Sequence, residues 1–226
     1  MSTSTCRLIF SARTTNTMEV ARLFNNAIDK NNGKRSISGL LLIYTDFIIH
    51  LIEGTEDDVL RLCHDAFAID STAMTNVKCL YLQSDAKKRF FEKWCWKRMN
   101  DDVLNDDAST KLEDNFENAT VAFKTMILNL CKLYAELSTI QRSMNHDNFT
   151  EHLDLVIVKG NPNVPSKRDV EFVLESRWGY DLVTLVNHYH NLNCASNFDD
   201  YSLASEVLQD IHRKITSRVT FQNDRY

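Results

Sequence analysis

Residues 37–54 read Ile37-Ser38-Gly39-Leu40-Leu41-Leu42-Ile43-Tyr44-Thr45-Asp46-Phe47-Ile48-Ile49-His50-Leu51-Ile52-Glu53-Gly54. Two apolar, β-favouring runs, 37–44 and 47–52, flank the polar pair Thr45-Asp46, and that spacing predicts an antiparallel, mostly buried hairpin. Upstream, residues 6–10 form a short apolar run that enters Ser11-Ala12-Arg13 and a Thr/Asn turn. Met18, Val20, Ala21, Leu23, Phe24, Ala27 and Ile28 then recur at helical spacing. This predicts a strand followed by an amphipathic helix, ended by Asn31-Asn32-Gly33, residues that accept left-handed geometry. Downstream, Gly54-Thr55-Glu56-Asp57-Asp58 offers a Thr N-cap and carboxylates in the first turn, where they suit the helix dipole. A second helix is expected over 56–70, with Val59, Leu60, Leu62, Cys63, Ala66, Phe67 and Ile69 as its apolar side. Residues 77–82 and 94–99 supply two further strands on either side of the basic turn Lys87-Lys88-Arg89. The order β-α-β-β-α-β-β predicts a ferredoxin-like α+β sheet with two helices on one face.

The remaining composition narrows the class. In 226 residues, 43% are hydrophobic and 25% charged, and five Gly with two Pro argue against long linkers or low-complexity tails. A formal charge of −5 supplies no global attraction to nucleic-acid phosphates or anionic membranes. Cys6, Cys63, Cys79, Cys95, Cys131 and Cys194 are scattered without a C-x-x-C pair, as expected of reduced thiols rather than a zinc or redox site. No apolar stretch approaches the ~20 residues of a membrane helix, and the N-terminus lacks a signal-peptide pattern. A cytoplasmic protein without membrane insertion is expected.

Four segments make the resemblance specific. Arg7-Leu8-Ile9-Phe10-Ser11-Ala12-Arg13 resembles the first strand of the BLUF domain, the flavin-binding sensor of blue light. Asn31-Asn32 followed by Ile37-Ser38-Gly39-Leu40-Leu41-Leu42 resembles its Asn-Asn-x4-Ile-Thr-Gly-Leu-Leu signature at the same spacing. His50-Leu51-Ile52-Glu53-Gly54 resembles Gln-Val-Leu-Glu-Gly, and Arg89-Phe90-Phe91-Glu92-Lys93-Trp94 resembles the Arg-Arg-Phe-x-x-Trp entry to the last strand. In that family a tyrosine gives an electron and a proton toward the excited flavin through a glutamine amide, whose rearranged hydrogen bonds make the signalling state. Here Phe10 stands at the tyrosine position and has no O–H, and His50 stands at the glutamine position without the paired donor and acceptor of an amide. The resemblance therefore implies a vestigial flavin site made of Phe10, Asn32, His50 and Trp94, with no photochemistry and no cofactor. Bound FAD or FMN is the alternative. As plain structural residues, Phe10 is a core aromatic on a central strand, His50 a strand residue with a hydrogen-bond partner, Asn32 a helix end, and Glu53-Gly54 a turn into the second helix. Of Trp94 and Trp96, which flank Cys95, one is expected to face the helices and the other the opposite side of the sheet.

Residues 112–144 carry the most regular pattern of the chain. Leu112, Phe116, Ala119, Phe123, Met126, Leu130, Leu133, Leu137, Ile140 and Met144 step 4-3 throughout, a heptad seam on a helix that would run about 50 Å at 1.5 Å per residue. The helix is expected to cap the open sheet face, with Leu130, Leu133, Leu137 and Ile140 available to a partner. Residues 152–159 read as a strand or extended segment, and helices are expected from Ser166 through Ser176, near 180–191 and over 202–217. The division is then 1–100 for the BLUF-like unit, 101–150 for the long helix and 151–226 for a mainly helical extension.

No catalytic constellation is found: G-x-S-x-G, P-loop, H-E-x-x-H and G-x-G-x-x-G are all missing from the sequence. His188-x-His190 with Cys194 offers ligands that diverge on a helix, so no metal site is expected. The basic aromatic stretch 87–98 lacks the RNP1 pattern of RNA-binding sheets. The expectation is a non-catalytic scaffold whose partners are other proteins and not nucleic acid. A divergent BLUF unit with a helical tail also resembles testis-expressed proteins of eukaryotes, which implies axonemal or cytoskeletal partners in a cilium or flagellum. The alternative is a flavin or small-ligand sensor that signals through the C-terminal helix.

Overall fold

The computed structural model describes residues 4–29, 37–69, 72–101, 104, 112–144, 148–151, 153, 157 and 161–195, with the backbone alone for 192–195. Its elements are β1 (Thr5–Arg13), α1 (Thr17–Asp29), β2 (Ser38–Ile43), β3 (Phe47–Gly54), α2 (Glu56–Ile69), β4 (Thr75–Ala86), β5 (Trp94–Arg98), α3 (Phe116–Ser143), α4 (Lys167–Glu175), β6 (Tyr180–Asp181) and α5 (Leu182–Ala195). The sheet order is β5-β2-β3-β1-β4-β6. Strands β4-β1-β3-β2 are antiparallel neighbours throughout, with α1 joining β1 to β2 and α2 joining β3 to β4. This is the ferredoxin-like α+β arrangement of two interlocked split β-α-β units. Strand β5 adds to it in parallel beside β2.

The hairpin forms where residues 37–54 placed it. Tyr44 donates its N–H to the Phe47 carbonyl at 2.9 Å across Thr45-Asp46, and Asp101 Oδ1 accepts from the Thr45 N–H at 3.0 Å. Every residue of β2 and β3 is buried. That is why their apolar runs are nearly unbroken: both faces of the sheet are covered, so neither alternate set of side chains meets water. At Gly39 φ is +145°, and a Cβ would lie 2.0 Å from the Leu51 carbonyl oxygen on β3. Only glycine serves a backbone that passes so close to its neighbour.

Two cores result. On one face α1 contributes Val20, Leu23 and Phe24, α2 contributes Val59, Leu60 and Cys63, and they meet Leu8, Phe10, Leu41 and Ile52 of the sheet. The α2 start is capped as expected, with Thr55 Oγ1 accepting from the Asp58 N–H at 3.2 Å. Met18 is 62% exposed and stands outside the apolar face of α1. Helix α5 adds Leu182, Leu185 and Val186 to this core, so three helices cover the face expected to carry two.

The opposite face is covered by α3 and α4. Asn115 caps α3 by accepting from the Asn118 N–H, and Ser166 caps α4 by accepting from the Asp169 N–H. Met126, Leu130, Leu133 and Leu137 enter the second core with Ile9, Leu40, Ile49 and Phe91. From Met126 to Leu137 the seam is thus spent inside the molecule, whereas Phe116 near its start is exposed. Leu130, Leu133 and Leu137 are fully buried and Ile140 is partly buried against the same core, so the partner surface expected at these four residues is not free. An a/d pattern shows that a stripe needs covering; it does not say by what.

Three further expectations change. Strand β6, missed in the sequence, pairs Asp181 with Lys78 and Tyr180 with Cys79, bringing the third segment of the chain into the sheet of the first. The described part of 161–195 is therefore built into the same sheet and cores rather than appended to them. Where 152–159 is described, Leu153 is helical and its carbonyl accepts from the Ile157 N–H at 2.8 Å, the i to i+4 bond of a helical turn in place of a strand. The expected helix over 202–217 lies outside the described residues, as does Asn31-Asn32-Gly33.

Replacing Gly39 by Ala is expected to lower stability by well over ~1 kcal/mol, because the left-handed φ and the overlap with Leu51 act together. Urea denaturation followed by circular dichroism measures it, and a wild-type midpoint would refute the close-approach account.

Candidate functional site

The positions that resemble a flavin site converge on His50. Antiparallel register sets Phe10 of β1 opposite His50 of β3 on one side and Leu41 of β2 opposite it on the other. The imidazole faces α1 and α2 and is fully buried. The Phe10 ring lies 5.2 Å from it, the Phe24 ring 4.4 Å away and edge-on at 86°, and the Trp94 ring 6.1 Å away. Phe10 also contacts Phe24 at 6.2 Å and Phe67 of α2 at 6.3 Å. Aromatic side chains from both helices and the sheet fill the space between α1 and α2.

One hydrogen bond orders this box. Trp94 donates its indole N–H to His50 Nε2 at 3.0 Å. Since Trp94 sits on β5 in register with Gly39, its indole crosses β2 where Gly39 carries no side chain. A neutral imidazole that accepts at Nε2 carries its proton on Nδ1. That Nδ1 is buried without a hydrogen-bond partner among the described residues. Burial pushes the His50 pKa down from 6.5 to about 3, because no neighbouring carboxylate compensates the desolvation of the cation.

These residues do not fit a flavin ring. Phe10 has no hydrogen-bonding atom, the acceptor nitrogen of His50 is engaged by Trp94, and the remaining Nδ1–H is a single donor behind Phe10 and Phe24. Asn32 lies outside the described residues. Trp94 and Trp96 both pack on the helix-side core while Cys95 enters the other one, so the expectation that the two tryptophans face opposite sides is corrected. Strand side chains alternate, and residues two apart share a face.

Glu53 takes a role that the sequence reading assigned to a turn. Its carboxylate is fully buried and accepts from Arg7 Nε at 2.9 Å, from the Phe90 N–H at 2.9 Å and from the Phe91 N–H at 3.1 Å. Arg7 also donates to the Lys88 carbonyl at 2.7 Å and lays its guanidinium 3.9 Å from the centre of the Phe90 ring. Residues from three of the four recognisable segments therefore meet in one clamp that holds the β4–β5 connection. The connection is completed by Gln141 of α3, whose Oε1 accepts from the Glu92 N–H at 3.3 Å, and by Phe91, buried against Tyr134 and Phe149. The signal was present in the sequence as Arg7, Glu53 and Arg89-Phe90-Phe91, but it names no contact until the strands are aligned.

The other candidates disperse. His190 of α5 stacks on His64 of α2 at 3.8 Å and 17°, an interhelical ring contact. No group of three or more metal-type ligands occurs among the described residues, and the side chain of Cys194 is not among them. Asp57 pairs with Arg61 one turn along α2 at 3.0 Å. No helix among the described residues is long and apolar enough to cross a membrane.

A family model described as testis-expressed protein 47 matches residues 7–195. A comparison with curated proteins finds no match. Among solved structures the chain is similar to a bacterial light-regulated adenylyl cyclase, at 21% identity over 76% of this chain and 40% of that one, TM-score 0.36. It is similar to Klebsiella pneumoniae BlrP1 with FMN and cyclic diGMP, at 19% identity over 45% of this chain and 27% of that one, TM-score 0.36. It is also similar to the structure described as BlrP1 BLUF, at 20% identity over 43% of this chain and 65% of that one, TM-score 0.35. The chain spans less than half the length of the first two.

Glu53→Ala should cost about 3–5 kcal/mol, since it leaves the largely buried Arg7 and two loop amides without their acceptor. Glu53→Gln, which keeps one carbonyl oxygen, should cost less; equal midpoints for both variants and wild type would remove the clamp from the account. His50 gives a pH prediction of definite sign. Its folded pKa lies below its unfolded one, so the unfolded chain takes up the proton first. Stability attributable to His50 is complete above pH 6.5 and declines toward pH 3 by up to about 1.4 kcal/mol per pH unit. His50→Gln should lose this slope in urea titrations between pH 7 and pH 4, and an unchanged slope would show that His50 does not carry it.

Proposed function

The chain belongs to the testis-expressed protein 47 family, and from that premise we propose that it is a non-catalytic scaffold that docks other proteins and performs no flavin photochemistry. The observation that carries this reading is the bond from Trp94 to His50 inside the Phe10–Phe24 box. The phenolic O–H is missing at position 10, and the acceptor nitrogen of His50 is engaged in a structural bond to Trp94. With no O–H at position 10 there is no phenolic proton to move, and with His50 held neutral by burial there is no charge to switch near neutral pH.

The same architecture supports a rigid scaffold. Both faces of the sheet are sealed by the chain's own helices, and the β4–β5 connection is tied down by a buried ion pair rather than left mobile. The aromatic residues of the basic stretch 87–98 point inward: Phe91 is buried, and Trp94 and Trp96 pack on a core. They are not presented as a stacking platform for bases. A place in a ciliary or flagellar axoneme extends this reading through the resemblance to testis-expressed proteins, and it makes axonemal or cytoskeletal proteins the partners.

The test is an absorption spectrum of the full chain after incubation with excess FAD and FMN and removal of free flavin, followed by denaturation to release any chromophore. No visible flavin band is expected in a well-folded sample. A stoichiometric band would replace the scaffold reading with a ligand-binding one. Proximity labelling in flagellated cells checks the location separately, and labelling that avoids axonemal proteins would refute that part.

A further inference from the structure

Among the described residues, strand β4 is paired on its outer side only in its first half. Among the described residues β6 meets it at Lys78 and Cys79 and nowhere else, so residues 80–86 form an edge without a paired strand. The chain that would continue the pairing opposite Leu80 departs at Gly179, where a Cβ would lie 2.6 Å from the Phe123 ring. Its departure opens a small solvent-facing cavity of about 70 Å³, lined chiefly by Leu80, Phe116, Phe123, Ile127, Trp178 and Tyr180. Phe116 and Trp178 stand at its mouth edge to face, 5.3 Å apart, and are 49% and 37% exposed.

Edge and cavity ask for different chemistry from one ligand. An unpaired strand presents alternate backbone N–H and C=O groups outward, whose best complement is another extended backbone. A small apolar cavity open to solvent takes one aromatic or large aliphatic side chain rather than a whole small-molecule ligand, and rejects charge. The two are contiguous, because Cys79 and Leu80 of β4 belong to the cavity wall. Charge adds a direction. Glu113 and Glu117 are exposed beside Phe116 at the cavity end, whereas Lys87 and Lys88 are exposed just past the other end.

We propose that this edge and cavity bind an extended peptide segment of a partner protein. The segment adds as a strand to residues 80–86, places one aromatic or large aliphatic side chain in the Phe116–Trp178 cavity, and sets acidic residues against Lys87 and Lys88. At ~3.3 Å per residue the anchor and the acids are about six positions apart. The proposal rests on the scaffold reading and names the surface and the partner chemistry that reading requires. It uses the start of the α3 seam at Phe116 and Phe123 and leaves Leu130, Leu133 and Leu137 buried, and it is strand addition with a side-chain pocket for specificity.

The probe is a fluorescein-labelled peptide, Asp-Glu-Val-Thr-Val-Thr-Val-Phe, titrated into the full chain by fluorescence anisotropy, with amide hydrogen exchange recorded with and without it. Saturable binding is expected, with slowed exchange at residues 80–86. A peptide with Pro in place of both Thr should bind at least ~10-fold more weakly, because it cannot complete a ladder. Phe116→Ala should weaken binding roughly fivefold or more, and Lys87→Gln with Lys88→Gln should weaken it and remove its salt dependence. Met18→Ala, on the exposed side of α1, should change nothing. The proposal is overturned by absence of binding at millimolar peptide, by equal binding of the Pro peptide, or by protection elsewhere. It is equally overturned if the outward-facing amides of 80–86, those not bonded to β1, are already protected without peptide. Sedimentation then assigns the cover to a second copy, if dimeric, or to the chain's own residues, if monomeric. Failure here with no flavin uptake removes this surface alone, whereas stoichiometric flavin removes the scaffold reading and leaves the peptide result to be judged separately.

Discussion

The buried carboxylate of Glu53 is the constraint on which the rest of the structure depends. A fully buried carboxylate is tolerated only when its lone pairs are met by donors, and here Arg7 Nε and the N–H groups of Phe90 and Phe91 meet them. Those donors come from the first strand and from the β4–β5 connection, so one side chain sets where the connection crosses the end of the sheet. Once Phe90 is pinned beneath Arg7, Phe91 falls into the second core, and β5 starts at Trp94 in parallel beside β2. The indole then reaches His50. The clamp and the aromatic box are successive steps of one chain path, on opposite faces of the same sheet.

The box shows how a site with chemistry resembling that of a sensor can become core. Replacing a phenol by a phenyl group removes a polar atom that would otherwise need a partner, and Phe10 packs against Phe24 and Phe67. Imidazole at position 50 keeps one polar bond, to Trp94, and leaves Nδ1 without a partner among the described residues. An orphaned buried donor costs roughly 1–3 kcal/mol, and the same burial raises the cost of protonating the ring. Position 50 therefore retains polarity without retaining the bidentate switching that an amide allows. The outcome is a sheet whose two faces are both covered by helices of the same chain.

Local patterns were readable where a single physical cause dominates. The two-residue turn, the Thr55 cap, the Ser166 to Ser176 helix and the need of α3 for an apolar cover follow from backbone geometry and side-chain period. The readings that failed concern what a stripe or polar group meets. The seam of Leu130, Leu133 and Leu137 looks the same whether it faces a partner or this chain's own sheet. Glu53 beside Gly54 reads as a turn, because nothing in the sequence says that the amides of Phe90 and Phe91 will arrive there. The two residues of β6 are too few to show any period, and their pairing exists because Gly179 admits the Phe123 ring.

By itself the sequence determined the β-α-β-β-α-β-β order of the first hundred residues and, through the resemblance, the loss of the phenol and amide on which flavin photochemistry relies. These are properties of covalent structure and local sterics, and they need no knowledge of distant neighbours. Tertiary packing determined that the long helix is a cover rather than a handle, that Glu53 is a clamp, and that His50 is a neutral acceptor for Trp94. Among the described residues it also left the second half of β4 without an outer strand, beside an aromatic cavity. Each of these depends on residues far apart in the chain meeting in a shared, water-excluded space, where burial and hydrogen-bond satisfaction together set the role of a side chain.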